Sequence, residues 1–344
     1  MNRVSSAGDA AGLLRRLLAG ENLSQAEAAA FIGEIMDGNF TPSQAAGLLV
    51  ALAAKGESAD EIVGAARAMR ERSLHVEHDL PMVVDVVGTG GDHANTINIS
   101  TMAALVVASA GIPVAKHGNR AASSACGSAD VLEAAGMPIE IEPELAAEML
   151  AECGFTFMFA PRYHPAMRNA APVRRELGVR TIFNLLGPLT NPAGATHLVV
   201  GVAREDLVER VGEALRALGA RRGAVVHGSG GVDEIVGDGS TSIYAFDEES
   251  AHLAHLEPAE FGIAEPLRTP VGGSVEAAHA AFLDVLGGAP SAASDVVAMN
   301  AAVVFYATGI ETKLPAAFER ARGLLRGGAV WPVFERAREF ARRG

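Results

Sequence analysis

Two regimes of apolar spacing divide the chain. Up to about residue 75, apolar side chains recur every three or four positions, the spacing of helices with one buried face. Leu13, Leu14, Leu17 and Leu18 flank Arg15 and Arg16, which makes an amphipathic helix and not a signal peptide. Ala45, Leu48, Leu49, Leu52 and Ala53 form the stripe of another. Three helix starts carry a capping box: Ser24 with Glu27, Thr41 with Gln44, and Ser58 with Glu61. Pro42 follows Thr41 at the first helical position, where its missing N–H costs nothing. Gly38 and Gly56 stand where such helices stop. Residues 8–75 are therefore expected to form a small antiparallel helical domain.

Beyond Pro81 the period changes. Short runs rich in β-branched or aromatic residues, Val83–Val87, Pro113–Lys116, Phe155–Phe159, His197–Val202, Ala224–His227 and Thr241–Phe246, predict strands. Between them Ser100–Ala110, Ala129–Ala135 and Leu207–Leu218 predict helices. Alternation of this kind implies a largely parallel sheet covered on both faces. A helix-rich stretch, Pro165 to Gly187, interrupts it, and an acidic turn falls at Asp247–Ser250. From Ser294 to the end the pattern predicts two long helices. The expected architecture is α/β, with residues 81–344 forming the larger domain.

Composition narrows the function classes. At 344 residues, with 49% hydrophobic and 20% charged, the chain can bury a sizeable core and is not disordered. Aromatics at 5% beside 38 glycines favour glycine-rich loops over a stacking surface for single strands. Cys126 and Cys153 are the only cysteines, so no disulfide framework or CxxC zinc pair exists, and a reducing, cytoplasmic setting is expected. A net charge of −13 has the wrong sign for a dedicated binder of nucleic acid or anionic membrane. The longest apolar run, Met102 to Ala115, is too short to span a bilayer and contains Ser109.

Five segments carry candidate chemistry. Gly88-Thr89-Gly90-Gly91-Asp92 follows the first strand, and its glycines let backbone N–H groups approach an anion closely. It fails the dinucleotide fingerprint, whose third glycine would fall at His93, and no Gly-Lys-Ser/Thr completes a P-loop. A tight strand–loop turn explains it equally well. Asn98, Ile99, Ser100 and Thr101 open the next helix, either as an anion site or as an ordinary N-cap. Lys116-His117-Gly118-Asn119-Arg120-Ala121-Ala122-Ser123-Ser124, continuing to Gly127-Ser128, sets cations, an amide and hydroxyls among residues small enough to admit a phosphate-rich ligand. A merely solvated loop would rarely concentrate so many small residues.

Asp233-Glu234 would repel a polyphosphate unless a hard cation lay between, and Mg²⁺ held by one or two carboxylates plus phosphate oxygens is the usual arrangement. Standing alone, the pair would be inert. Val173-Arg174-Arg175-Glu176-Leu177-Gly178, followed by Arg180-Thr181-Ile182-Phe183-Asn184, offers arginine forks that suit a planar carboxylate, or simply an exposed basic helix. The pairs His75/His78 and His252/His255 lack a nearby third ligand and are read as surface features.

Together these segments closely resemble the anthranilate phosphoribosyltransferases. The resemblance covers nearly the whole chain, from the helical N-terminal part through Asp85-Val86-Val87 with the glycine loop, Lys116 to Arg120 and Gly127-Ser128-Ala129-Asp130. It continues through Arg174 to Gly178, Asn184-Leu185-Leu186-Gly187-Pro188-Leu189-Thr190-Asn191-Pro192, and Asp233-Glu234. What it implies is a helical domain on a mixed α/β domain of the nucleoside phosphorylase/phosphoribosyltransferase type, Mg²⁺ as cofactor, a homodimer, and the second committed step of tryptophan synthesis.

The resemblance also implies roles. Gly88, Gly91, Asp92, Thr96, Asn98, Ile99, Ser100 and Thr101 would hold phosphoribosyl diphosphate, and Lys116, His117, Gly118, Asn119, Arg120, Ala121, Ala122, Ser123, Ser124 and Ser128 would continue the cradle. Gly88, Asn119 and Arg174 would face anthranilate. Ser100, Asp233 and Glu234 would bind the metal, while Lys116 and Arg174 would serve catalysis. A pyrimidine nucleoside phosphorylase would carry a different basic loop and no Arg174. A nucleic-acid-binding paralogue would carry basic surface charge, which −13 opposes.

Overall fold

The computed structural model describes residues 9–91, 94–121 and 125–343. Four helices come first: α1 (Ala10–Leu18), α2 (Gln25–Met36), α3 (Pro42–Lys55) and α4 (Ala59–Arg70). All three capping boxes form at Ser24, Thr41 and Ser58. On α3 the buried stripe is Ala45, Leu48, Leu49 and Leu52, with Ala51 buried where Ala53 stays half-exposed.

Glu61 does more than cap. Its buried carboxylate accepts the Leu23 N–H at 2.9 Å, the Ser58 N–H at 2.8 Å and the Lys55 ammonium at 2.9 Å. Removing it strands two amides and leaves the Lys55 ammonium only the neutral Asn22 and Gly56 oxygens, so Glu61→Ala is expected to cost about 3 kcal/mol. A shift of the urea midpoint at constant slope would report it; a loss under about 1 kcal/mol would refute the buried-network account.

The rest alternates as the sequence pattern implies. In chain order come β1 (Val84–Gly88), α5 (Ile99–Ser109), β2 (Val114–Gly118), α6 (Ser128–Ala134), α7 (Pro143–Cys153) and β3 (Phe155–Phe159). Next are α8 (Ala160–Tyr163), α9 (Met167–Leu177), α10 (Phe183–Leu186), β4 (His197–Gly201), α11 (Val208–Ala217) and β5 (Arg222–Gly228). Two more strands, β6 (Thr241–Phe246) and β7 (Ala251–Leu256), precede α12 (Val275–Leu286), α13 (Ala292–Ala307), α14 (Leu314–Arg326) and α15 (Val330–Ala341).

The strands form a seven-stranded sheet in the order β3-β2-β1-β4-β5-β6-β7. β1 to β5 run parallel; β6 and β7 are added antiparallel. The apolar run before Ser109 becomes α5, which packs on β1 and β2 while α13, α14 and α15 close its other sides. A helix with no polar face is one buried all round. α9 packs back onto α2 and α3, so a helical layer faces one end of the sheet. From α4, Arg70 fastens that layer through Nε to the Leu189 carbonyl at 2.8 Å and Nη1 to the Leu218 carbonyl at 3.1 Å. No helix among the described residues is long and apolar enough to cross a membrane.

Two features depart from the pattern-based expectation. The C-terminal part is three helices rather than two, because Gly327 and Gly328 end α14 and a new turn starts at Val330. β7 falls on Ala-His-Leu-Ala-His-Leu, which lacks β-branched residues; pairing with β6 along its whole length makes it a strand.

Candidate active site

Topology selects the place for a site. The chain leaves β1 for β2 on one side, and β4 later returns on the other, so the connections diverge between β1 and β4. In parallel α/β sheets ligands bind in the crevice beyond the strand C-termini at such a divergence. A cavity of about 780 Å³ lies there. Its walls come from the loops after β1, β2, β3 and β5 and from α9.

The 88–91 loop meets the acidic pair directly. The Gly90 N–H donates to Asp233 Oδ2 at 2.6 Å. A Cβ at Gly88 would sit 2.4 Å from that same oxygen, so only glycine admits the approach. One loop donor is thus taken by a carboxylate, and the Thr89 N–H donates to the Gly201 carbonyl at 2.9 Å. Glu234, buried, accepts the Ser100 N–H through Oε1 at 3.3 Å. Glu234 thus stands at the start of α5 and Asp233 at the 88–91 loop, and both line the same cavity as Ser100. Hard oxygen donors of this kind suit Mg²⁺, which takes few protein ligands and completes its shell with water and phosphate oxygens.

Asn98 precedes α5 but does not cap it with its side chain. Its Nδ2 donates to the Cys126 carbonyl at 3.1 Å, while its buried Oδ1 and the Thr101 hydroxyl have no partner among the described residues. Thr96 and Ser100 also line the cavity. Ile99 does not: its side chain is fully buried in the core and its N–H donates to the Ile97 carbonyl.

Lys116 emerges from β2 and is 1% exposed. Its Nζ donates to the Val86 carbonyl at 2.6 Å and to Ser100 Oγ at 3.4 Å. Burial draws the ammonium down to about 8, against the pull of Asp85, Glu234 and Asp233, which favour the charge. Asp85 is itself fully buried on β1, and burial pushes its carboxyl up to about 6. The Asn191 amide at 2.7 Å and the His117 N–H at 3.3 Å hold it. Burial also pushes His117 down to about 4, so the ring is neutral. Its Nδ1 lies 2.9 Å from the Gly187 carbonyl, which requires the proton on Nδ1 and leaves Nε2 as an acceptor.

The loop after β2 is clasped at both ends by Asp130, whose Oδ2 accepts the N–H groups of Ala121 and Gly127 at 2.9 Å each. Gly118, Asn119, Arg120, Ala121 and Ser128 all line the cavity, and Ser128 Oγ donates to the Asn119 carbonyl. Arg120 is turned to α6, paired with Asp130 at 3.0 Å and Glu133 at 2.8 Å. Asp92, Ala122, Ser123 and Ser124 lie outside the described residues.

Arg174 enters from the helical side. Its guanidinium lies 5.5 Å over the Phe183 ring, and burial lowers its affinity for its proton. Among the described residues no carboxylate pairs with it. A half-buried guanidinium against an aromatic face is suited to a planar aromatic carboxylate.

Among the cavity residues to which the resemblance gave no role are His164, Arg180 and Phe183. His164 is buried beside His117, ring centres 5.0 Å apart, and burial pushes it down to about 2. Arg180 reaches the 88–91 loop, and Phe183 floors Arg174. Arg180 and Phe183 belong to the arginine-rich segment, but only the folded return of the 178–182 turn reveals what they touch.

Two family models match the chain: a "Glycosyl transferase family, helical bundle domain" over residues 11–73 and a "Glycosyl transferase family, a/b domain" over residues 80–330. The anthranilate phosphoribosyltransferase of Deinococcus radiodurans is 46% identical over 93% of this chain and 96% of its own length. Among solved structures, that of anthranilate phosphoribosyltransferase from Thermus thermophilus is 44% identical with a TM-score of 0.89, covering 96% of this chain and 99% of the other. The Saccharomyces cerevisiae enzyme in complex with PRPP and Mg is 24% identical with a TM-score of 0.88 over 97% and 98% of the two chains, a likeness of fold.

Proposed function

This chain belongs to the anthranilate phosphoribosyltransferases, and from that premise we propose how its residues share the work. The reaction moves a 5-phosphoribosyl group from phosphoribosyl diphosphate to the amine of anthranilate, giving N-(5-phosphoribosyl)anthranilate and diphosphate, in tryptophan synthesis. One observation carries the assignment of roles. A glycine loop, a buried lysine and an acidic pair meet at the β1/β4 divergence, and Arg174 lies across the same cavity.

Residues 8–75 form the helical unit and residues 81–344 the unit that binds phosphoribosyl diphosphate. Gly88, Gly91, Asp92, Thr96, the Asn98 to Thr101 helix start, Lys116 to Ser124 and Ser128 make up its cradle. Ile99 contributes by shaping the start of α5 from the core, since its side chain faces away from the cavity. Asp233, Glu234 and Ser100 would hold Mg²⁺. When bound, that ion supplies positive charge against the departing diphosphate. Lys116 adds its ammonium to the same charge, from a site where little water screens it. Arg174, Asn119 and Gly88 hold anthranilate so that its amine meets C1 of the ribose on the face opposite the leaving group. An arylamine is neutral at pH 7, and nothing covalent is required of the protein.

The active form is a homodimer in this reading. That expectation rests on the resemblance. A cytoplasmic setting accords with two free, buried thiols.

The purified protein is expected to consume anthranilate, followed by its fluorescence, only when phosphoribosyl diphosphate and Mg²⁺ are both present. Undiminished fluorescence from folded protein under those conditions would sink the reading.

A further inference from the structure

We infer that Arg180 is a positioning residue for the glycine loop, setting the direction of the donors that loop offers to phosphoribosyl diphosphate. The inference rests on the cradle proposed above. Arg180 stands in the turn between α9 and α10, on the helical side of the cleft. Its Nη1 donates to the Gly90 carbonyl at 2.9 Å and to the Gly91 carbonyl at 3.1 Å. Gly91 has φ +72°, and a Cβ there would lie 2.6 Å from that Nη1. The loop backbone and the guanidinium are therefore in contact with no room for a side chain between them.

The consequence follows from peptide geometry. In a planar trans peptide the C=O and the following N–H point in opposite directions. Fixing the Gly90 carbonyl toward Arg180 therefore fixes the Gly91 N–H toward the far side of that peptide. The other side of the loop is held by Asp233 through the Gly90 N–H. Two consecutive glycines at positive φ have little stiffness of their own. Without the arginine, the loop would have to be ordered by the ligand, and that ordering would weaken donor affinity. Among the described residues Arg174, earlier on α9, makes no hydrogen bond to the 88–91 loop, so the two arginines act on different substrates.

The test compares wild type with Arg180→Met, which keeps length without donors, and Arg180→Lys, which keeps one charge. Calorimetric titration of phosphoribosyl diphosphate with Mg²⁺, without anthranilate, reads the loop independently of turnover. Arg180→Met should weaken that binding about tenfold or more, the scale of a lost charge-assisted hydrogen bond. The KM for anthranilate should stay within about twofold, and Arg180→Lys should recover part of the loss. Unchanged affinity in Arg180→Met overturns the inference. So does an equal weakening of both substrates that lysine does not relieve, since that marks a general structural role. A wild-type protein that binds no phosphoribosyl diphosphate fails at the cradle itself, a result distinct from either.

Discussion

Replacing Asp233 and Glu234 together with Asn and Gln lowers turnover by at least about a hundredfold, the scale on which removing one preorganised electrostatic partner acts. The shapes are kept: an Asn carbonyl oxygen still accepts the Gly90 N–H, and a Gln carbonyl oxygen still accepts the Ser100 N–H. Stability should hardly move, and a melting curve checks this. What disappears is the charge proposed to draw Mg²⁺, so the concentration of Mg²⁺ giving half-maximal activity should rise steeply. A second effect runs the same way, because both carboxylates favour the protonated form of Lys116. If the double variant keeps normal turnover and normal Mg²⁺ dependence, the pair only braces the 88–91 loop and the start of α5.

The parts of the fold legible from sequence are those fixed by local chemistry. The three capping boxes, the strand Phe155–Phe159 and the strand Thr241–Phe246 fall where the spacing of a hydroxyl and an acid or amide, or β-branched and aromatic runs, put them. β7 is hidden because Ala-His-Leu carries no strand preference, and only the partner β6 makes it extended. The candidate site is legible as a set of segments but not as a set of distances. That Asp233 meets Gly90 across 143 positions is a property of the sheet order, which no local pattern encodes. Ile99 shows the converse limit. It sits inside a motif whose neighbours line the cavity, yet helical geometry turns its side chain into the core.

Arg174→Ala and Lys116→Met are expected to fail in different ways. Arg174 is the half-buried cation on the helical side, set over Phe183, and a charged hydrogen bond to a carboxylate is worth roughly 1.5–3 kcal/mol. Its loss should raise the KM for anthranilate about ten- to a hundredfold with a smaller change in kcat. Arg174→Lys should recover only part, since a point charge cannot reproduce the planar fork. Lys116 is proposed to serve the other substrate, and charge on diphosphate peaks as it leaves, so Lys116→Met should lower kcat more than it raises any KM. Methionine is chosen because the site is closed and alanine would leave a cavity. The pH profile separates charge from bulk. Burial holds Lys116 at about 8, so its ammonium is present below that value and is lost as pH rises through it. Wild-type kcat/KM for phosphoribosyl diphosphate, which follows the free enzyme, should fall across that window, while for Lys116→Met, with no ammonium to lose, it should be low and flat. Should Arg174→Ala instead weaken phosphoribosyl diphosphate and leave anthranilate untouched, the acceptor lies elsewhere in the cavity and the division of the two walls between the two substrates is wrong.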